Sequence, residues 1–195
     1  MKHLKVRTIF AMALLGFAAL SCKENKNEET QKADLTMAMN EMKSNNVKDV
    51  ESNSINSNVS EVISLYLEAK NDLVAEDGKA AAEVSNKLVE ALEKMDLSKY
   101  DAKQQTELKS IVNKAIENAK NIGNSEISKQ REHFKLLSNN MIELVTITGS
   151  EGTLYEQYCP MYDKGSSWLS DSKEIRNPYY GSKMLACGRV EKEFN

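Results

Sequence analysis

The residues best suited to chemistry are sulfurs near the C-terminus. Cys159-Pro160-Met161 and Met184-Leu185-Ala186-Cys187 each set a thiol close to a thioether, and the two cysteines lie 28 residues apart. Thiolate with thioether is a soft ligand set, fit for Cu(I) and other thiophilic ions. Pro160 fixes the backbone between the sulfur residues of the first half. Gly188 allows a sharp turn after the second. The same cysteines can instead close a disulfide, which an oxidising compartment favours. A loop of that length would stabilise by roughly 3–4 kcal/mol in the chain-entropy model. Inert buried thiols are a third reading. The doubled Cys-x-x-Cys pattern of a zinc ribbon is missing.

His133 is the other candidate ligand. It sits beside Phe134 at the edge of an apolar helical stripe, where packing histidines also occur. A tail docked on that helix would bring it near Cys159. No Ser-His-Asp arrangement, phosphate loop or paired carboxylate stands out, so no catalysis is expected. Glu174, Arg176 and Lys183 read as surface pairs of little energetic weight.

Composition narrows the class. The chain has 195 residues, 28% of them charged and 41% hydrophobic, which excludes a polytopic membrane protein. A net charge of −3 argues against a nucleic-acid binder held by phosphate contacts. Two histidines are too few for a His-rich metal enzyme, and three cysteines leave one without a partner.

The N-terminus accounts for that odd cysteine. Lys2, Lys5 and Arg7 precede an apolar run from Ile9 to Leu20, too short to span a bilayer as a mature helix. The run ends in Ala19-Leu20-Ser21-Cys22, which resembles a bacterial lipobox with Leu20 at its small-residue position. Residues 1–21 are then a lipoprotein signal peptide, and Cys22 carries the lipid. Acyl chains contribute about 0.8 kcal/mol per buried CH₂, so several of them anchor durably. Cleavage removes the three basic residues named above and takes the charge from −3 to −6.

Residues 22–57 are expected to be a disordered tether after the acylated cysteine. From Lys23 on, the stretch has no aromatic, Pro or Gly and cannot bury enough apolar surface to offset ordering. Within it, Met37, Met39 and Met42 suit Cu(I) or mark a short amphipathic helix.

From Asn58 the pattern turns helical, and residues 58–195 read as one domain. Asn58 and Glu61 resemble a capping box before Val59, Val62, Ile63, Tyr66, Leu67 and Leu73. Asp77-Gly78 breaks this run and caps a second helix through Met95. A turn spans Asp96 to Tyr100. A third helix runs to Gly123 as a left-handed C-cap. Ser125 can cap a fourth, which ends near Gly149. Short connections make these an antiparallel up-and-down four-helix bundle, all-α in class. Residues 150–195 hold seven of the twelve aromatics and both prolines. This largely irregular segment is expected to pack on the bundle, since about 46 residues make a poor core alone. Thr153–Tyr158 and Arg189–Phe194 are candidate short strands, with a turn at Asn177-Pro178. Trp168 and the tyrosines are core anchors.

These residues resemble one family. Tyr158-Cys159-Pro160-Met161, Lys164-Gly165, Trp168-Leu169-Ser170, Glu174-Ile175-Arg176-Asn177-Pro178-Tyr179-Tyr180-Gly181, Lys183-Met184-Leu185 and Cys187-Gly188 look like the signature of the domain of unknown function family three-three-four-seven. Tyr66-Leu67 with Lys70 to Ala75, and Gln130 to Phe134 with Leu137-Ser138, resemble its first and last helices. The resemblance covers about residues 58–192. That family occurs in Bacteroidetes-type lipoproteins and as an appended domain in periplasmic adaptors of heavy-metal efflux systems. The Cys-Pro-Met element is also similar to one in heavy-metal-binding domains of copper-exporting systems. The resemblance implies metal handling outside the cytoplasm. Cys159 and Cys187 would be thiolate ligands of Cu(I), Met161 and Met184 thioether ligands, and His133 a further candidate. The expected partners are the membrane, through the lipid anchor, and heavy-metal efflux components; no nucleic acid is expected. The expected location is the periplasmic side or the cell surface, at the outer membrane. The alternative is a non-catalytic structural or interaction module stapled by a Cys159–Cys187 disulfide.

Overall fold

Apolar residues spaced by three and four decide the first half of the domain. The computed structural model describes the backbone from residue 48 and the side chains from residue 58. The leader, Cys22, Met37, Met39, Met42 and the tether up to residue 47 lie outside the described residues. Four helices follow: α1 (Lys48–Val74), α2 (Gly78–Glu93), α3 (Ala102–Gly123) and α4 (Ile127–Thr148). Their stripes meet in one core, where Tyr66, Leu73, Leu88, Leu108, Phe134 and Leu144 are buried. Each such side chain contributes about 1.5–3 kcal/mol relative to exposure. Consecutive helices pack on each other across short links, so the bundle runs up and down. Among the described residues, no helix is long and apolar enough to cross a membrane.

Some helix ends are as expected and others are not. Asp77 caps α2 by accepting the Ala80 N–H at 2.9 Å. At α3 the Asp101 carboxylate accepts the Gln104 N–H at 2.8 Å, and the Gln104 side chain accepts the Asp101 N–H at 3.2 Å. Asn58 is no cap, because α1 begins at Lys48 and runs through it. Gly123 is the last residue of α3 and Asn124 is its cap. A Cβ on Gly123 would stand 2.4 Å from Asn86 Oδ1, so the glycine admits α2 rather than a left-handed turn. Glu126, not Ser125, precedes α4, and its side chain caps nothing. The buried Gln130 side chain holds that corner instead. It donates to Gly78 O at 2.7 Å and to Ile122 O at 3.3 Å.

The tail is more regular than expected. Strands β1 (Leu154–Cys159) and β3 (Arg189–Phe194) fall at the candidate segments, and β2 (Ser166–Ser170) adds a third. They form an antiparallel sheet in the order β2-β1-β3. Three of the five β2 residues are serine, outside the β-branched and aromatic types that mark strands. Four of the five are buried, so no polar–apolar alternation gives the strand away. β2 packs on α4. The Tyr66 hydroxyl on α1 accepts the Leu169 N–H at 3.1 Å and is hydrogen-bonded to Ser138 of α4 at 2.7 Å. One phenol therefore ties α1, α4 and the sheet together. Lys70, only 3% exposed, adds a second tie, donating to Ser170 Oγ at 3.3 Å and pairing with Asp171 at 3.7 Å.

These ties carry a pH dependence. Burial raises the pKa of both Tyr66 and Tyr179 above the ordinary phenol value. The unfolded chain therefore releases these protons first, from about pH 10 upward. Their contribution is complete below about pH 10 and is lost as pH climbs toward the folded values. Each tyrosine adds a slope of about −1.4 kcal/mol per pH unit in that window. Burial lowers the pKa of Lys70, which acts in the opposite sense, and its effect is flat beyond about pH 10.4. Urea midpoints measured from pH 8 to 11 should fall steeply above pH 10, and Tyr66→Phe should make that fall shallower. An unchanged slope in Tyr66→Phe would contradict the assignment.

Candidate functional site

The two sulfur halves converge. Cys159 ends β1 opposite Ser166 of β2, and its neighbour Tyr158 lies opposite Arg189 of β3. Cys187 arrives from the other side, after a single 3-10 turn, Gly181–Met184. Its N–H donates to Met184 O at 3.0 Å. Gly188 then passes at φ 150°, where a Cβ would stand 3.0 Å from both the Trp168 ring and the Tyr158 carbonyl. Only glycine fits a backbone so placed. The two Sγ atoms stand 2.7 Å apart. Cys159 is fully buried and Cys187 is partly exposed.

Asn177 positions the second half. Its side chain is fully buried, donating to Cys187 O at 2.8 Å and accepting the Tyr179 N–H at 2.8 Å. Its own N–H donates to Leu185 O at 2.8 Å. A single residue thus closes the loop that delivers Cys187. The sequence pattern marks only a turn at Asn177-Pro178; nothing in it shows that the amide is buried. Asn177→Ala leaves a carbonyl and an N–H without their partners, each worth about 1–3 kcal/mol when buried. The expected loss is about 2–3 kcal/mol in urea unfolding. Thiol labelling at Cys187 should also quicken in the reduced protein.

The loop is anchored to the bundle at the end of α1 remote from Lys48. Arg131 Nε donates to Pro178 O at 3.0 Å, and its Nη2 donates to Leu73 O at 3.2 Å. Arg131 also pairs with Glu76 at 3.5 Å, and Ser182 Oγ donates to Glu76 Oε2 at 2.9 Å. From residue 58 to residue 74, α1 rises about 24 Å at about 1.5 Å per residue. The sulfur pair therefore lies at the far end of the domain from the point where the chain enters it.

The aromatics form a column from the core to this site. Tyr66 stacks on Phe134 at 5.1 Å, and Phe134 meets Tyr179 at 6.1 Å. Tyr162 stacks on Tyr179 at 4.5 Å, and Trp168 meets the same ring edge-on at 5.8 Å. The Tyr179 hydroxyl donates to Ser167 O at 2.6 Å, and the Tyr180 hydroxyl to Met161 O at 2.9 Å. Trp168 and Tyr179 are buried anchors, whereas Tyr158, Tyr162 and Tyr180 are only partly buried.

The remaining candidates divide. Met161 and Met184 flank the pair through their backbones, but their side chains are 62% and 37% exposed. Contact with the Cys159 sulfur pushes the Cys187 thiol up, burial adds to this, and the Met161 backbone opposes it. His133 lies on α4, and its buried Nδ1 has no hydrogen-bond partner. Among the described residues no group of three or more His, Cys, Asp or Glu gathers to hold an ion. The donor chemistry of the sulfur pair suits a soft ion, but its spacing does not. Thiolates bond zinc at about 2.3 Å, which sets two of them about 3.8 Å apart around a tetrahedral ion. A gap of 2.7 Å is too narrow to seat an ion between both sulfurs.

The chain is a four-helix bundle with a three-stranded sheet laid over its α1–α4 seam and a cysteine pair at one end of that sheet. Residues 62–153 match the model of a family described as "Protein of unknown function (DUF3347)". This is the family that the residues resemble. The match falls on the helices and stops before β1, so the sulfur pair lies outside the matched segment. No curated protein and no solved structure matches the chain.

Proposed function

We propose that the chain is an exported, lipid-anchored, non-catalytic binding module whose C-terminal sheet is stapled by a Cys159–Cys187 disulfide. The observation that carries this reading is the sulfur contact of 2.7 Å between residues delivered by two separate, well-anchored elements. The apolar leader ending at Cys22 supports export into a compartment where such a bond persists. The test is to isolate the full-length protein without reductant and titrate its thiols in denaturant. No reactive thiol at Cys159 or Cys187 before reduction and two after it is the expected result. Two free thiols in freshly isolated protein would overturn the staple.

A second reading is soft-metal handling, with copper the first candidate. The flanking thioethers favour it: each cysteine has a methionine beside it, and both methionine side chains reach solvent. In the reduced protein Cys159 and Cys187 would supply thiolates, Met161 and Met184 thioethers, with His133 the next nitrogen to consider. Such a module would serve heavy-metal efflux components. Cu(I) loading of reduced protein against a competing chelator, repeated with Cys159→Ser/Cys187→Ser, decides it. Equal competition by both proteins would end the metal reading.

A further inference from the structure

The two sulfurs of the pair are not equivalent. Cys159 has no exposed surface, lies at the end of the central strand and belongs to the same buried core as Trp168 and Tyr179. Cys187 is partly exposed and sits on the irregular segment between the 3-10 turn and Gly188. Exchange between thiols and disulfides requires access to the sulfur attacked. We propose that Cys187 is the site of thiol–disulfide exchange with an external thiol and that Cys159 is the buried resolving partner. This rests on the staple reading, since it specifies how the staple opens and closes.

The chemistry balances without a cofactor. An external thiolate attacks Cys187 Sγ, a new sulfur–sulfur bond forms there, and the Cys159–Cys187 bond breaks. The electron pair leaves on Cys159 Sγ, which takes a proton from water or attacks back and expels the external thiol. A second external thiolate attacks the external sulfur of the mixed disulfide. It carries that sulfur off as a small disulfide and leaves both cysteines reduced. The oxidising direction is the reverse, with a small disulfide as the oxidant. The exposed side chains of Met161 and Met184 offer an incoming group polarisable apolar surface.

Glutathione disulfide is the probe. Reduced Cys159→Ser and reduced Cys187→Ser proteins are mixed with it at pH 8.5, and the adduct is followed by intact mass. Cys159→Ser is expected to gain one glutathione at Cys187 at least tenfold faster than Cys187→Ser gains one at Cys159. In 8 M urea the two rates should converge, which shows that the fold sets the difference. If either variant fails to fold by circular dichroism, reduced wild-type protein is treated with limiting iodoacetamide and the labelled cysteine is mapped. Equal labelling in the fold, or faster labelling at Cys159, overturns the proposal. Failure of the staple reading shows separately, as free thiols in the isolated protein whichever cysteine reacts first.

Discussion

Reduction of the Cys159–Cys187 pair is expected to cost the domain about 3–4 kcal/mol, the chain-entropy cost of a loop of this size. The loop spans 28 residues and encloses β2, the Asn177 corner and the 3-10 turn. An intact bridge removes many conformations from the unfolded chain, and these return on reduction. The folded state loses little, because Asn177, Arg131 and the aromatic column hold the same segment independently. The reduced protein should therefore remain folded but melt roughly 10–15 °C lower. The comparison is urea or thermal unfolding of the same preparation with and without reductant. Cys187→Ala should melt at the reduced value in either condition. No shift on reduction would mean that no bond is present, and it would leave the metal reading standing.

The helices were legible because burial and helical period coincide in them. The apolar residues of α2, at Ala81, Val84, Leu88, Ala91 and Leu92, are its buried face. The cysteine pair was legible as a pair, because chemistry is written in residue type. Its geometry was not, because Asn177 and Gly188 position Cys187 through contacts that no periodicity records. A buried amide and an ordinary turn asparagine look alike in a sequence. β2 was hidden for a related reason: buried on nearly all sides against α4 and β1, a serine-rich segment shows no alternation. The misassigned caps at Asn58 and Ser125 have a shared cause, and Gly123, though it does end α3, does so without the left-handed turn. Capping residues are common wherever helices are polar, and only the neighbouring element decides which one acts. Gln130 shows this, since a residue on the buried face of α4 reaches the carbonyls of both Gly78 and Ile122 at that corner.

Phe134→Ala is expected to lower stability by about 3–5 kcal/mol, the cost of deleting a fully buried aromatic. Phe134 lies between Tyr66 of α1 and Tyr179 of the tail, at 5.1 and 6.1 Å. The site cannot collapse readily around the deletion, because both neighbours are tethered by their hydroxyls. Tyr66 is held by Ser138 and the Leu169 N–H, and Tyr179 by Ser167 O. A cavity whose walls are pinned keeps its volume, and the penalty grows with residual volume. Phe134→Leu should cost less, about 1–2 kcal/mol, because it retains most of the volume. The variants also separate two roles for the column. If it only fills the core, Phe134→Ala lowers the unfolding midpoint and leaves labelling of reduced Cys187 unchanged in the native state. If it also seats the tail, Cys187 labels faster at denaturant concentrations well below the midpoint. The contact between Phe134 and Tyr179 predicts the second outcome. The Tyr179 N–H donates to Asn177 Oδ1, and the amide nitrogen of the same side chain donates to the Cys187 carbonyl. Loss of packing at Phe134 is thereby passed through two hydrogen bonds to the sulfur pair.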